Sequence, residues 1–129
     1  LRVTVIVPRP EQFILDLASV IRRRIASLLS MALKSRKAVS GFSAVHNALE
    51  KGSISLLLFT SDLSEGTKGK VLASGRCLPE KQATLFTKQE MGKLVGRDEA
   101  GVVGVLDRGF SSAIWSEHER LKGLIKAHP

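Results

Sequence analysis

The chain has 129 residues, a length that fits one domain with one hydrophobic core. Hydrophobic residues make up 43% and charged residues 25%, which excludes a disordered chain, and no apolar run approaches the ~20 residues needed to span a bilayer. Twenty lysines and arginines against twelve acidic residues give a net charge of +8, which favours a polyanionic partner such as RNA, DNA or an anionic membrane surface.

The cysteine and histidine content bears on two kinds of site, disulfides and zinc sites. Cys77 is the single cysteine, so no internal disulfide can form, and the three histidines are too scattered to complete a zinc site with it. We expect no metal and no cofactor, and a reducing compartment, hence the cytoplasm.

Residues 1–10 are predicted to be an extended lead-in, because residues 3–7 are rich in β-branched side chains and Pro8 follows. The chain starts at Leu1 rather than Met, so we expect a region upstream of it. Residues 11–129 are predicted to form one α/β domain.

A long amphipathic helix is predicted over residues 11–34. Its polar face carries Arg22, Arg23 and Arg24, and a basic turn through Lys37 follows it. The helix has apolar residues in steps of three and four, at Phe13, Leu17, Val20, Ile21, Ile25, Leu28, Leu29 and Ala32.

The middle of the chain alternates helices and apolar strands. A second helix over 42–49 places Phe42, Val45 and Leu49 on one face and ends before Gly52. The apolar run 54–60 predicts a strand that is buried on both faces, and Ser64 is expected to cap a weaker third helix that ends near residue 74.

The last third repeats this alternation. A short strand over 83–86 precedes a capping box from Thr87 to Glu90, which opens a helix that closes at Gly96. A buried strand over 101–106 and a final helix, capped by Ser111 or Ser112, complete the chain. This order predicts a layered α/β fold with helices on both faces of the sheet.

Three stretches carry a family resemblance: residues 37–45, then 48–52 with 56–62, and then 87–96 with its internal glycine. They resemble the archaeal and eukaryotic ribosomal-protein family that binds kink-turn RNA, over about residues 28–128, and within it the bacterial YlxQ-like branch. Residues 3–5, Pro8 and residues 22–32 are similar to proteins in which a YlxR-type domain precedes the YlxQ-like one. The chain would then be the C-terminal part of such a fusion.

The resemblance implies a three-layer α/β/α sandwich with a mixed central sheet, and RNA binding at the start of the second helix and in neighbouring loops. The family has a Gly-x-Asn-Glu pattern there, followed by a lysine. This chain has Gly41, Phe42, Ser43 and Ala44, with Asn47 at the lysine position. The pattern therefore lacks the carboxylate that accepts hydrogen bonds from a guanine edge and the lysine that contacts phosphate.

The predicted function is binding of structured RNA, ribosomal or transcription-associated, without catalysis. Several candidate contacts also have a purely structural interpretation: Ser40 as a helix cap, Lys51 as a complement to the helix dipole, Asp62 as a turn carboxylate. For Arg22, Arg23 and Arg24 two interpretations stay open: they contact RNA phosphates, or they form a solvated face of the helix. The candidate RNA contacts are Lys34, Arg36, Lys37, Ser40, Gly41, Phe42, Ser43, Asn47, Lys51, Asp62 and Arg97.

Two other functions stay open at this point. The second helix and its strand are also similar to the RNA-holding domain of ribose methyltransferases, and a protein-interaction module with incidental charge is the third alternative. Enzyme motifs are missing from the sequence, which has no phosphate-binding loop, no Gly-x-Ser-x-Gly elbow and no paired carboxylates.

Overall fold

The computed structural model describes residues 10–75 and 78–127, so residues 1–9 of the predicted lead-in, Cys77 and His128 lie outside the described residues. Five helices and four strands alternate along these residues. They are α1 (Pro10–Lys34), β1 (Ala38–Ser40), α2 (Phe42–Glu50), β2 (Leu56–Phe59), α3 (Glu65–Ser74), β3 (Lys81–Thr84), α4 (Lys88–Val95), β4 (Val102–Val105) and α5 (Arg108–Ala127). None of the described helices is long and apolar enough to cross a membrane.

The four strands form one mixed sheet in the order β1-β4-β2-β3. β2 and β3 are parallel, whereas β4 lies antiparallel to both β1 and β2. The carboxyl ends of β1, β2 and β3 therefore meet at one edge of the sheet, together with the start of β4. We call this the carboxyl edge, and the edge at which β1, β2 and β3 begin the amino edge.

Helices cover both faces of the sheet. On one face, α1, α4 and α5 bury Ile25, Met91 and Ile114 against strand residues that include Leu58 and Val103. On the other face, α2 and α3 form a second cluster. The predicted three-layer sandwich is thus confirmed, and β2 and β4 are buried at every position, as their apolar runs indicate.

Several helix ends follow the sequence signals. Thr87 and Glu90 form the predicted capping box, and Gly96 ends α4 in the left-handed conformation at φ 74°. Ser64 caps α3 by accepting a hydrogen bond from the Thr67 N–H. Gly52 follows α2 with φ 66°.

Other expectations are wrong in detail. Strand β1 was not predicted, since its three residues include only the apolar pair Ala38 and Val39. The third strand starts at Lys81, two residues earlier than predicted. On α1, Phe13 and Val20 are exposed rather than part of the buried face.

The last helix begins earlier than its serines suggested. It starts at Arg108, and the Asp107 carboxylate accepts the hydrogen bond from the Phe110 N–H at 2.9 Å. Ser111, one of the two predicted caps, is 2% exposed inside the helix, where its hydroxyl lies 2.6 Å from that of Ser55. Aspartate and serine are equally good N-cap residues, so Asp107, which comes before both serines after the strand, caps the helix.

Candidate functional site

The carboxyl edge brings together the start of α2 and the loop after α4. Gly41 is the residue before α2, with φ 90° and ψ 159°, and no side chain caps the helix there. The Arg97 guanidinium lies against it, with Nη1 3.0 Å from the position that a Gly41 Cβ would occupy. A larger residue at position 41 would meet both a disfavoured backbone conformation and this side chain.

The start of α2 has the features of an anion site. The first N–H groups of a helix have no partner within it, and the helix dipole adds a partial positive charge there. Arg97 places a planar cation beside those groups, and no carboxylate among residues 10–75 and 78–127 lies within ion-pair distance of it. An arginine fork suits the oxygen atoms of a phosphate.

A second glycine positions Arg97. Gly92 lies inside α4, where a Cβ would be 2.7 Å from the Asp98 carbonyl oxygen and 2.8 Å from that of Arg97. The Arg97 N–H donates to the Gly92 carbonyl oxygen at 2.8 Å. The loop can therefore fold back onto α4 only because residue 92 has no side chain.

Phe42 adds an aromatic surface beside Gly41. Its side chain is 47% exposed, so it lies at the rim of the core that buries Val45 and Leu49 rather than inside it. The end of its ring comes within 3.6 Å of the position that a Cβ on Gly101 would occupy. The ring thus lies at the rim of the carboxyl edge, on the side of the α2–α3 layer.

Asp62 lies at the same edge and has a structural partner. Its carboxylate accepts the backbone N–H of Lys88, the first residue of α4, at 2.9 Å. It thereby joins the loop after β2 to the start of α4. Such a bond satisfies one of the free donors at the start of that helix.

Ser40, Ser43 and Asn47 lie along β1 and α2. Ser40 is the last residue of β1 and pairs with Val103, and no side chain caps α2, so the structural alternative of Ser40 as a helix cap is wrong. Ser43 is exposed in the first turn of α2, and Asn47 is exposed one turn further along. Both are open to solvent on the helix that Gly41 begins.

The remaining predicted contacts lie at the amino edge instead. Lys37 precedes β1, and its ammonium group is 3.8 Å from the Asp107 carboxylate and 5.7 Å from the centre of the Phe110 ring. Four residues of extended chain separate Lys37 from Gly41, or about 13 Å. Lys37 and Arg97, both predicted as RNA contacts, therefore do not lie beside the same helix start.

Three further basic candidates share this amino edge. Lys34 ends α1, Arg36 follows it with φ 61°, and Lys51 ends α2; all three are exposed. The fold thus divides the predicted contacts between two opposite edges. In sequence they look like one group because β1, which carries the chain from one edge to the other, is only three residues long.

Gly92 was not predicted as a site residue; it belongs to the stretch 87–96 that carries the family resemblance. A glycine inside a helix that is otherwise well capped is a signal of close backbone approach, and here the approaching segment carries Arg97. The described residues contain no group of three or more histidine, cysteine, aspartate or glutamate side chains that could hold a metal ion.

His118 is the titratable group that the fold perturbs most clearly. It is 9% exposed beside Trp115, and its Nδ1 has no hydrogen-bond partner among the described residues. Burial, reinforced by the nearby Lys122, lowers the pKa of His118 below its ordinary value of 6.5. It lies on α5, within the helical layer rather than at either edge.

No protein-family model matches the chain. It is similar to the RNA-binding protein YlxQ of Bacillus subtilis (strain 168), with 29% identity over 89 residues, which is 69% of this chain and 89% of that protein. It is also similar to a solved structure, a protein with unknown function from Bacillus halodurans C, with 29% identity, a TM-score of 0.64, and coverage of 74% of this chain and 96% of the other.

The similarity to YlxQ agrees with the resemblance in the sequence, and the solved structure shares the fold. Each relative is matched over most of its own length, so the similarity extends over a fold rather than a short motif. Neither relative bears on an upstream YlxR-type domain, which stays a prediction. The predicted similarity to YlxQ is confirmed over the 69% of this chain that the Bacillus subtilis protein matches.

Proposed function

We propose that this chain binds structured RNA through the carboxyl edge and catalyses no reaction itself. The observation that carries the proposal is the uncapped start of α2 at Gly41 with the Arg97 guanidinium beside it. The two elements supply what an RNA phosphate needs: backbone N–H donors, a favourable dipole and a cation.

The rest of the edge supports an RNA partner over a small anion. Phe42 offers a half-exposed ring next to the phosphate site, and aromatic rings stack with unpaired bases. Ser43 and Asn47 continue along the exposed side of α2 with hydroxyl and amide groups that can bond to sugars or base edges. The Bacillus subtilis relative, named an RNA-binding protein, adds independent support.

The kind of recognition follows from the residues present. Ala44 has no polar side-chain atom and Asn47 no charge, so we infer recognition through phosphates and backbone shape more than through a guanine edge. We propose a cytoplasmic role with an RNA of the ribosome or the transcription apparatus, in agreement with the net charge of +8.

Two single substitutions separate the two edges. Arg97→Ala removes the cation beside Gly41, whereas Lys37→Ala removes one positive charge at the amino edge and serves as the matched control. The affinity of each variant for a fluorescently labelled kink-turn hairpin RNA is measured by anisotropy at several salt concentrations. We expect Arg97→Ala to weaken binding about tenfold and to reduce the salt slope by roughly one, since one phosphate contact is lost.

The opposite result would place the RNA at the other edge. If Lys37→Ala weakened binding and Arg97→Ala left it unchanged, the amino edge, with Lys34, Arg36 and Lys51, would be the RNA-binding surface. Both side chains are at the surface, so neither substitution should change stability by more than ~0.5 kcal/mol. Equal melting temperatures of the two variants are the check on folding.

A further inference from the structure

A groove between α1 and α4 lies outside the site described above. It encloses about 340 Å³, at the lower end of the ~300–1,000 Å³ that small-ligand sites occupy. A volume of that order suits one nucleotide better than a folded RNA element. The residues that line it are Ser19, Arg22, Arg23, Ala26, Phe86, Glu90, Lys93 and Leu94.

The groove combines an apolar floor with a basic rim. Ala26, Phe86 and Leu94 form the floor and pack against the main hydrophobic core. Arg22 and Arg23 are exposed on the α1 side. An apolar floor between cations has the chemistry of a nucleotide site, with room for a base below and phosphate oxygens above.

The cations of the rim are not neutralised within the protein. Among residues 10–75 and 78–127, no carboxylate lies within ion-pair distance of Arg22, Arg23 or Lys93. The next arginine along α1, Arg24, does have such a partner, because its guanidinium lies 3.7 Å from the Glu117 carboxylate. The one acidic lining residue, Glu90, is engaged as a hydrogen-bond acceptor from the Thr87 backbone N–H.

The groove is a neighbour of the carboxyl edge. Phe86 in its floor accepts hydrogen bonds through its carbonyl oxygen from the backbone N–H and the hydroxyl of Ser61, at 2.8 and 3.2 Å. Ser61 follows β2 at that edge. On α4, Lys93 of the groove comes directly after Gly92, onto which the Arg97 loop folds. The short helix α4 thus separates the groove from the Arg97 site.

Phe86 is held in an unusual backbone conformation, with φ 64°. Left-handed φ values are uncommon for residues other than glycine and concentrate at functional positions. The two bonds from Ser61 fix this conformation. Phe86 is 9% exposed, so it closes the bottom of the groove as part of the main hydrophobic core.

We propose that the groove between α1 and α4 binds one unpaired nucleotide of the RNA, with the base on the floor of Phe86 and Leu94 and the phosphates on Arg22, Arg23 and Lys93. The inference rests on the proposed function, RNA binding, but concerns a different surface. It also gives the basic face of α1 a role beyond solvation.

The probe is a fluorescently labelled octauridylate, which has no secondary structure, compared with an abasic octamer of the same length. The double variant Arg22→Ala/Arg23→Ala should bind octauridylate about tenfold more weakly, or about threefold for each contact, because both arginines are exposed and neither has a helix start beside it as Arg97 has. The control Arg120→Ala/Lys122→Ala removes the same charge from α5 and should bind like the parent. The parent should bind the abasic octamer at least about fivefold more weakly, because base stacking is lost.

Three results would overturn the proposal: equal affinity of the two double variants for octauridylate, equal affinity of the parent for the abasic octamer, or equally tight binding of hexaglutamate through Arg22 and Arg23. The last would identify an acidic protein segment as the occupant. Arg97→Ala separates this proposal from the previous one. If it leaves hairpin binding intact while the Arg22/Arg23 variant loses octauridylate, the edge site fails and the groove stands.

Discussion

Gly92→Ala is the substitution that tests most sharply how the fold positions Arg97. A Cβ at residue 92 would lie 2.7 Å from the Asp98 carbonyl oxygen and 2.8 Å from that of Arg97. Both obstacles are backbone atoms, so no side chain can rotate away. To reach the ordinary contact distance of 3.4 Å, the loop has to retreat by about 0.7 Å.

The energetic consequence combines two opposing terms. Overpacking of this kind costs about 1–3 kcal/mol. Alanine in a helix interior gains up to about 1 kcal/mol over glycine. Gly69→Ala in α3 isolates the second term, since nothing lies within 4 Å of the position its Cβ would occupy. The two variants should therefore differ in the free energy of unfolding by about 1–3 kcal/mol, with Gly69→Ala the more stable.

The assay is urea denaturation followed by circular dichroism, together with the affinity for the kink-turn hairpin RNA. Displacement of the loop should also move the Arg97 guanidinium away from Gly41, so Gly92→Ala should weaken RNA binding and Gly69→Ala should not. Equal stability of the two variants would show that the loop yields without cost. The argument that Gly92 fixes the Arg97 loop would then be refuted.

Three further predictions concern α4 and α5. The pKa of His118 is lowered in the folded protein, so the unfolded chain takes up a proton at a higher pH than the folded chain does. Stability should therefore be highest above pH 6.5 and fall as the pH drops below it. In thermal unfolding, His118→Leu should lose this dependence of stability on pH. Thr87→Val breaks the capping box with Glu90 and should lower the free energy of unfolding by about 1 kcal/mol in the same urea assay. Asp62→Ala leaves the Lys88 N–H without its acceptor and should cost about 1 kcal/mol, whereas Asp62→Asn, which keeps an acceptor oxygen, should restore most of it.

The sequence was sufficient for the layered fold, because the signals for it are local. The apolar run around Leu57 indicates a strand buried on both faces, and the Thr87–Glu90 capping box marks a helix start to the residue. β1 was not predicted, because a segment of three residues with two apolar side chains is too short to show an alternating pattern. Its strand character comes from pairing with β4, which is a tertiary contact.

The candidate site was predicted less completely for the same reason. Gly41 could be identified because a helix start and a glycine coincide in sequence. That Arg97 lies beside it while Lys37 lies at the opposite edge depends on the strand order and on the glycine at position 92. Neither the charge of a residue nor its distance along the chain carries that information.

Amide chemical-shift changes in the ¹⁵N-labelled protein during titration with the kink-turn hairpin RNA would locate the RNA-binding surface residue by residue. We expect the largest changes at Gly41, Phe42, Ser43 and Arg97, at the carboxyl edge. Changes confined to Lys37 and its neighbours at the amino edge, with Gly41 and Arg97 unmoved, would contradict this expectation.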